Sequence, residues 1–257
     1  MTFNRVKTFY PTAYAFASQF FEGVSKAMPL NQKDVLLDVG CGSGTHTALL
    51  SKHVARVTAF DISPEMIKEA KEISTAGNIT YSLGDATKLS TYEEYRNSFD
   101  KVVAYYVLQW IKGFKIALQG IHRSLKPGGQ CFVNVTQRDP NVIDTIIALN
   151  SHTSPKWEAF MKGYEHLYYP FQGSVDEFEQ ILAGIGFKDI DCTRDIPKYI
   201  LKKDEGKAFF PNFMGQLERF PEDRREEYIE DALTFVFGTA SEEYCLTFPV
   251  ITAVARK

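Results

Sequence analysis

The sequence predicts an α/β fold: a doubly wound, mostly parallel seven-stranded sheet with helical cap insertions. Three observations predict it. Over residues 34–136, short apolar runs alternate with helical segments, as parallel βαβ units do. A glycine-rich turn, Asp38-Val39-Gly40-Cys41-Gly42-Ser43-Gly44, closes the first of those runs. An acid closes each of the next two, Asp61 and Asp85.

The elements follow in order. Residues 11–28 carry Ala15, Phe16, Phe20 and Val24 near helical spacing and read as an amphipathic helix. Residues 34–39 form a first strand, apolar except for its acids, which is how a buried parallel strand reads. Residues 45–54 are helical. A second strand over 56–60 ends at Asp61, and Ser63-Pro64-Glu65 opens a helix, with Ser63 at the N-cap and Pro64 in the first turn. Strands over 79–83, 99–106 and 130–135 follow. The helix between the last two, over 113–125, is stopped by Lys126-Pro127-Gly128-Gly129. Beyond Thr136 the rhythm changes. Residues 139–172 read as a helical insertion, 175–184 as a helix, 187–194 as a strand, 204–238 as mostly helical and 246–255 as the closing strand. With no internal repeat and no low-complexity linker, one domain is expected over 1–257. Its core spans about 33–136, and the N-terminal helix and both insertions form a cap.

Bulk composition narrows the function classes. A formal net charge of −3 gives no reason to expect a nucleic-acid partner. The four cysteines, Cys41, Cys131, Cys192 and Cys245, lack zinc-site or disulfide-framework spacing, so no metal is expected. No apolar run approaches a membrane span and the N-terminus lacks a signal-peptide core, which predicts a soluble, cytoplasmic chain without a membrane partner. Oligomeric state is not legible. Aromatic content reaches 14%, much of it outside the strand pattern, so some rings are candidates to line an apolar pocket.

The glycine turn admits a ligand against bare backbone. A dinucleotide fingerprint would need glycine at position 45, where threonine stands, and the chain has no Lys or Arg between residues 38 and 47. A nicotinamide oxidoreductase is therefore disfavoured, and a zwitterion without phosphate suits the loop. Asp61 can accept both hydroxyls of a ribose, and Asp85 the amino group of an adenine. Singly, each acid could equally be a turn or helix cap. Together with the loop they line one crevice at the carboxyl edge of the sheet.

In combination, D-x-G-x-G-x-G, an acid after the second strand and Gly84-Asp85-Ala86 after the third resemble the class I S-adenosylmethionine-dependent methyltransferases. The resemblance implies a Rossmann-like methyltransferase fold with S-adenosyl-L-methionine as cofactor and S-adenosyl-L-homocysteine as product. It implies Asp38 at the methionine ammonium, Gly40, Cys41, Gly42 and Gly44 under the methionine and ribose, and Asp61 and Ile62 at the ribose and adenine. It further implies Asp85 and Ala86 at the adenine edge and Tyr105 at the methionine.

Tyr106 to Trp110, the region 156–173 and the closing residues 251–257 narrow the resemblance to the juvenile hormone acid methyltransferases, and Leu108-Gln109-Trp110 is more distantly similar to the trans-aconitate methyltransferases. Members of the first family often carry His before the Trp, where this chain has Gln109, and a Gln in the first helix, where Gln19 is nearest. Both families act on carboxylates. A Trp indole N–H and a Gln amide N–H are donors suited to an anion, so Gln109 and Trp110 are the candidate catalytic pair. A carboxylate is already deprotonated at neutral pH and needs no general base. Between residues 139 and 173 only Lys156 and Lys162 are cationic, against six named aromatics, Trp157, Phe160, Tyr164, Tyr168, Tyr169 and Phe171. An apolar acid of the farnesoic type fits this better than a polyacid. Tyr14, Gln19, Trp157, His166 and Tyr169 are the candidate acceptor contacts, although several of these rings could equally be packing. A non-catalytic cofactor-binding module is the competing class, and an N-methyltransferase would commonly show an Asn/Asp-Pro-Pro-aromatic motif after the fourth strand, absent here.

Overall fold

A computed structural model describes residues 10–74, 76–138, 155–165, 168–209, 214–238, 242–247 and 249–257. Contacts gather the chain into two compact units. One comprises residues 11–137, 168–195 and 250–257; the other comprises 1–10, 138–167 and 196–249.

The first unit is built on a seven-stranded sheet. Its strands are β1 (Val35–Val39), β2 (Arg56–Asp61), β3 (Ile79–Leu83), β4 (Phe99–Ala104), β5 (Leu125–Thr136), β6 (Lys188–Asp195) and β9 (Val250–Arg256), in the order β3-β2-β1-β4-β5-β9-β6. Strands β1 to β5 pair in parallel, and β9 runs antiparallel between β5 and β6. This is the doubly wound, mostly parallel sheet expected from the βαβ rhythm. The chain winds outward from β1 to β3, then crosses back to lay β4 on the other side of β1. A ligand crevice belongs at that switch, outside the carboxyl ends of β1 and β4.

The period-2 pattern of the strands divides the core into two clusters. Leu37, Val39, Val102 and Val133 join one, and their neighbours Leu36, Val103 and Phe132 the other. Both faces being covered explains why these strands read as nearly continuous apolar runs. Helix α1 (Tyr10–Ala27) buries Phe20 and Val24 in the second cluster. Helix α2 (Thr45–Leu50) is shorter than expected and tightens into a 3-10 turn over Ser51–His53. Helix α3 (Pro64–Ile73) is capped as anticipated, the Ser63 hydroxyl accepting from the Met66 N–H at 3.2 Å. Helix α4 (Lys115–Ser124) precedes β5, and Val175–Ile185 precedes β6 behind a Ser174/Glu177 capping box.

The second unit corrects two readings. The expected closing strand 246–255 is two strands in different sheets: β8 (Glu243–Thr247) pairs with β7 (Lys198–Lys202), and β9 starts afresh at Val250. Pro249 lacks the N–H that a continuous ladder requires. Strands β7 and β8 both lie outside the insertions expected over 139–172 and 204–238. In 139–172, the described residues hold one helical turn at Glu158–Met161, and Phe171 instead bridges to Gln137 beside β5. The 204–238 region is helical as expected, with helices Lys203–Phe209 and Glu222–Phe237. Among the described residues no helix is long and apolar enough to cross a membrane.

Candidate functional site

The glycine turn leaves β1 with Gly40, Gly42 and Gly44 at φ of 73°, 53° and 78°, in the left-handed region where a side chain is strained. Their surroundings differ. A Cβ on Gly40 would lie 2.3 Å from a Val107 methyl, so the turn is pressed against the segment that leaves β4. A Cβ on Gly42 would meet nothing within 4 Å, leaving bare backbone beside open space. Cys41 faces the other way. Its side chain is buried in the core and burial pushes its thiol far up, so only its backbone borders the turn.

Asp61 ties the turn to the end of β2. Its Oδ2 accepts from the Gly42 N–H at 3.0 Å and its Oδ1 from the Ser63 N–H at 2.9 Å. The turn-acid reading is therefore correct, yet it does not exhaust the carboxylate, whose two oxygens offer about four lone-pair positions against the backbone N–H groups of Gly42, Ser63 and Ile62. Burial raises the Asp61 pKa, partly offset by backbone N–H donors. Asp85 likewise caps the 3-10 helix Ala86–Thr91, its Oδ1 accepting from the Thr87 N–H at 2.8 Å and from the Thr87 hydroxyl at 2.7 Å. Ala86 packs half-buried at the start of that helix.

Ile62 and Leu83 are 63% and 61% exposed, and Leu83 is in register with Asp61. Two large apolar side chains thus stand in solvent between acids, which is what the face of an adenine would cover. Asp38 is buried beneath the turn, receives the Thr47 hydroxyl at 2.6 Å and is pushed up to about 6 by burial. A cationic ammonium would stabilise its charged form. Bare glycine backbone, a buried carboxylate beneath it, a strand-end carboxylate beside it and two exposed apolar side chains between acids are features that S-adenosylmethionine would require of its site.

After β4 the chain turns sharply. Tyr105 is half-buried, its ring centroid 3.8 Å from Phe20 and 5.3 Å from His46. His46 is pushed down to about 4 by burial and is neutral at physiological pH. Tyr106 has φ 50°, which costs a non-glycine residue about 1–2 kcal/mol. Its N–H donates to Asn134 Oδ1 at 2.6 Å, and its carbonyl accepts from Gln109 Nε2 at 2.7 Å.

That last bond corrects the expectation for Gln109. The residue lies in the 3-10 turn Leu108–Trp110, is 3% exposed and turns its amide donor onto its own loop rather than toward an acceptor. The tight turn brings residue 109 back over residue 106, which a strand-end reading does not anticipate. Trp110 is half-buried and sits edge-on to Tyr168 at 5.2 Å, with the Tyr168 hydroxyl bonded to the Thr136 hydroxyl at 2.7 Å. The half-buried Tyr169 joins this strand end through its N–H, bonded to the Gln109 carbonyl at 2.5 Å.

Trp157 is a second correction. It is 4% exposed in the other unit, with Nε1 donating to Asp231 Oδ2 at 3.0 Å and its ring packed on Phe220 and Tyr228. Lys156 reaches Glu227 and Asp231 beside it. With its N–H and ring both engaged, Trp157 is packing. Tyr14 and Gln19 fall within α1, but their side chains, like all of His166, lie outside the described residues. Asn134 escaped sequence reading, though a polar residue inside the buried run Cys131-Phe132-Val133-Asn134-Val135 is a signal.

A family model described as a methyltransferase domain matches residues 37–133, the stretch that carries the glycine turn and all the strand-end acids. The chain is 28% identical over 247 residues to the juvenile hormone acid O-methyltransferase of Drosophila melanogaster, covering 88% of this chain and 81% of that one. Its fold matches the YcgJ protein from Bacillus subtilis with a TM-score of 0.63 at 16% identity, over 94% of this chain and 97% of that one. It also matches Haemonchus contortus phosphoethanolamine N-methyltransferase 2 solved with S-adenosyl-L-methionine, with a TM-score of 0.59 at 18% identity, over 93% and 52%. Sheet order, the ligand seat and the domain match converge on one conclusion: the chain is a class I S-adenosylmethionine-dependent methyltransferase resembling the juvenile hormone acid O-methyltransferases.

Proposed function

We propose that this enzyme transfers the methyl group of S-adenosylmethionine to the carboxylate of a small, apolar acid and releases a methyl ester. The observation that carries the reading is Trp110. It ends the segment after β4, half-buried against Tyr168 instead of lost in the core, beside the sheet edge that holds the glycine turn. The O-methyltransferase name and the acid acceptor of the Drosophila relative support the same chemistry.

When bound, the cofactor supplies an electrophilic methyl on a sulfonium. An acceptor carboxylate forms the new C–O bond as the S–CH3 bond breaks, the sulfur keeping the bonding pair, so no proton moves. The protein's task is then to hold the anion in line and exclude water. In this reading the Trp110 indole N–H orients the carboxylate, Tyr168 fixes the indole plane, and Asp38, Asp61 and Asp85 hold the cofactor.

Labelled cofactor offered with farnesoic acid, fatty acids, citrate and trans-aconitate tests this. Base-labile label on an apolar acid is expected, and label on citrate or trans-aconitate alone would reverse the substrate class. Trp110→Phe keeps the ring and deletes the N–H, so turnover should fall about tenfold or more, since 1.4 kcal/mol is a factor of ten, while cofactor affinity stays nearly constant. Full activity in that variant removes Trp110 from the acceptor site.

The pH profile separates binding from chemistry. Protonating Asp38 as pH falls through about 6 removes the charge that attracts the ammonium, so cofactor affinity should drop there. With cofactor saturating that limb disappears, and turnover should stay level from pH 8 until the acceptor itself protonates, near pH 4–5. A steep loss between pH 8 and 6 at saturating cofactor would require a titrating base, which His46, already neutral there, does not supply.

A further inference from the structure

Among the described residues, three that are not glycine have positive φ: Asn97, Tyr106 and Asp189. Asn and Asp adopt this conformation readily because their short polar side chains bond locally, whereas a bulky tyrosine does so only where its surroundings dictate it. Tyr106 is therefore the outlier, and strained residues of this kind gather at functional sites.

Its surroundings do dictate it. Asn134, from the middle of β5 and 1% exposed, accepts the Tyr106 N–H; Gln109 donates to the Tyr106 carbonyl. Neither amide can be reversed without setting donor against donor or acceptor against acceptor. Two buried side chains thus clamp the N–H and the carbonyl of one residue.

The location follows from the covalent order of the cofactor: adenine, ribose, then sulfonium. The apolar seat at Ile62 and Leu83 and the carboxylate of Asp61 belong to β2 and β3. Further along the sheet edge comes β1 with the glycine turn, and beyond it the gap between β1 and β4. Gly40 presses on Val107 there, and Tyr105 and Tyr106 leave β4 with their rings 4.3 Å apart.

We propose that Tyr106 contacts the transferable methyl of the sulfonium through its aromatic ring, and that Asn134 and Gln109 are positioning residues that hold it there. An aromatic ring attracts a cationic methyl and has no comparable attraction for the neutral thioether left after transfer. The inference uses the cofactor alone and does not depend on which acid is methylated.

Calorimetry with S-adenosylmethionine and S-adenosylhomocysteine tests it without an acceptor. In Tyr106→Leu the ratio Kd(S-adenosylmethionine)/Kd(S-adenosylhomocysteine) should rise about threefold or more, whereas Tyr106→Phe, which keeps the ring, should leave it within about a factor of two. Asn134→Ala should raise the same ratio, and should raise it no further in the Tyr106→Leu background. A merely structural role would weaken both ligands in parallel, and that result, or an unchanged ratio in Tyr106→Leu, overturns the proposal. If Asn134→Ala does not fold, the Leu and Phe variants at position 106 still decide it. Failure of every acid to accept label would overturn the carboxylate reading and leave this ratio untouched.

Discussion

Gly40→Ala should lower stability by about 2–5 kcal/mol. About 1–2 arises from the left-handed backbone at φ 73° and about 1–3 from forcing a methyl to within 2.3 Å of Val107. In a protein of this size that corresponds to a fall in Tm of roughly 5–15 °C, read by calorimetry or circular dichroism. Relief can come only by separating the glycine turn from the segment after β4, so cofactor affinity should fall as well. Gly42→Ala is the informative partner. Its φ is similarly positive at 53°, but its new methyl meets no protein atom within 4 Å. It should therefore keep most of its stability and lose cofactor affinity by occupying the ligand's side of the turn. Equal Tm losses in the two variants would contradict this division of roles.

Asp61→Ala should weaken S-adenosylmethionine binding by about 1.5–3 kcal/mol, or roughly 10- to 150-fold in Kd, the range for hydrogen bonds to a charged group. The structure adds a term that strand-end position alone does not suggest, because the Gly42 and Ser63 N–H groups also lose their acceptor. Asp61→Asn separates the two effects. It retains one oxygen, and can keep one of those backbone bonds while losing the charge and at least one ribose acceptor, so its affinity should fall between wild type and the Ala variant. Unchanged affinity by titration calorimetry in the Ala variant would remove Asp61 from the cofactor site.

The cofactor half was legible because its signals are local. A strand buried on both faces is an apolar run, a turn without side chains is a row of glycines, and Asp61 and Asp85 stand where their strands end. Strand β3 was expected over the residues that form it. Ser63 announced its cap by its position before Pro64. The acceptor side was less legible because its signals are not local. Gln109 could not be oriented from sequence, since the 3-10 turn that swings its amide onto Tyr106 is set by packing after β4. Trp157 looked like a pocket aromatic until Asp231, 74 residues away, supplied the partner for its N–H. The β7–β8 pair was missed because Lys198-Tyr199-Ile200-Leu201-Lys202 is too short to display a period. Nothing nearby indicated that residues 243–247 would lie beside it.

Between Thr136 of β5 and its partner Val250 of β9 the chain leaves the sheet twice, once before β6 and once after it. The entropy lost in closing such an excursion grows only with the logarithm of its length, and doubling the length adds about 0.6 kcal/mol. Residues 138–167 and 196–249 can therefore lengthen, shorten or be exchanged at small thermodynamic expense, provided that β9 still reaches its slot between β5 and β6. The strands that carry the glycine turn and the acids all precede both excursions. The fold thus separates a fixed-geometry problem, seating one cofactor, from an open-ended one, and lets the second change with almost no thermodynamic consequence for the first.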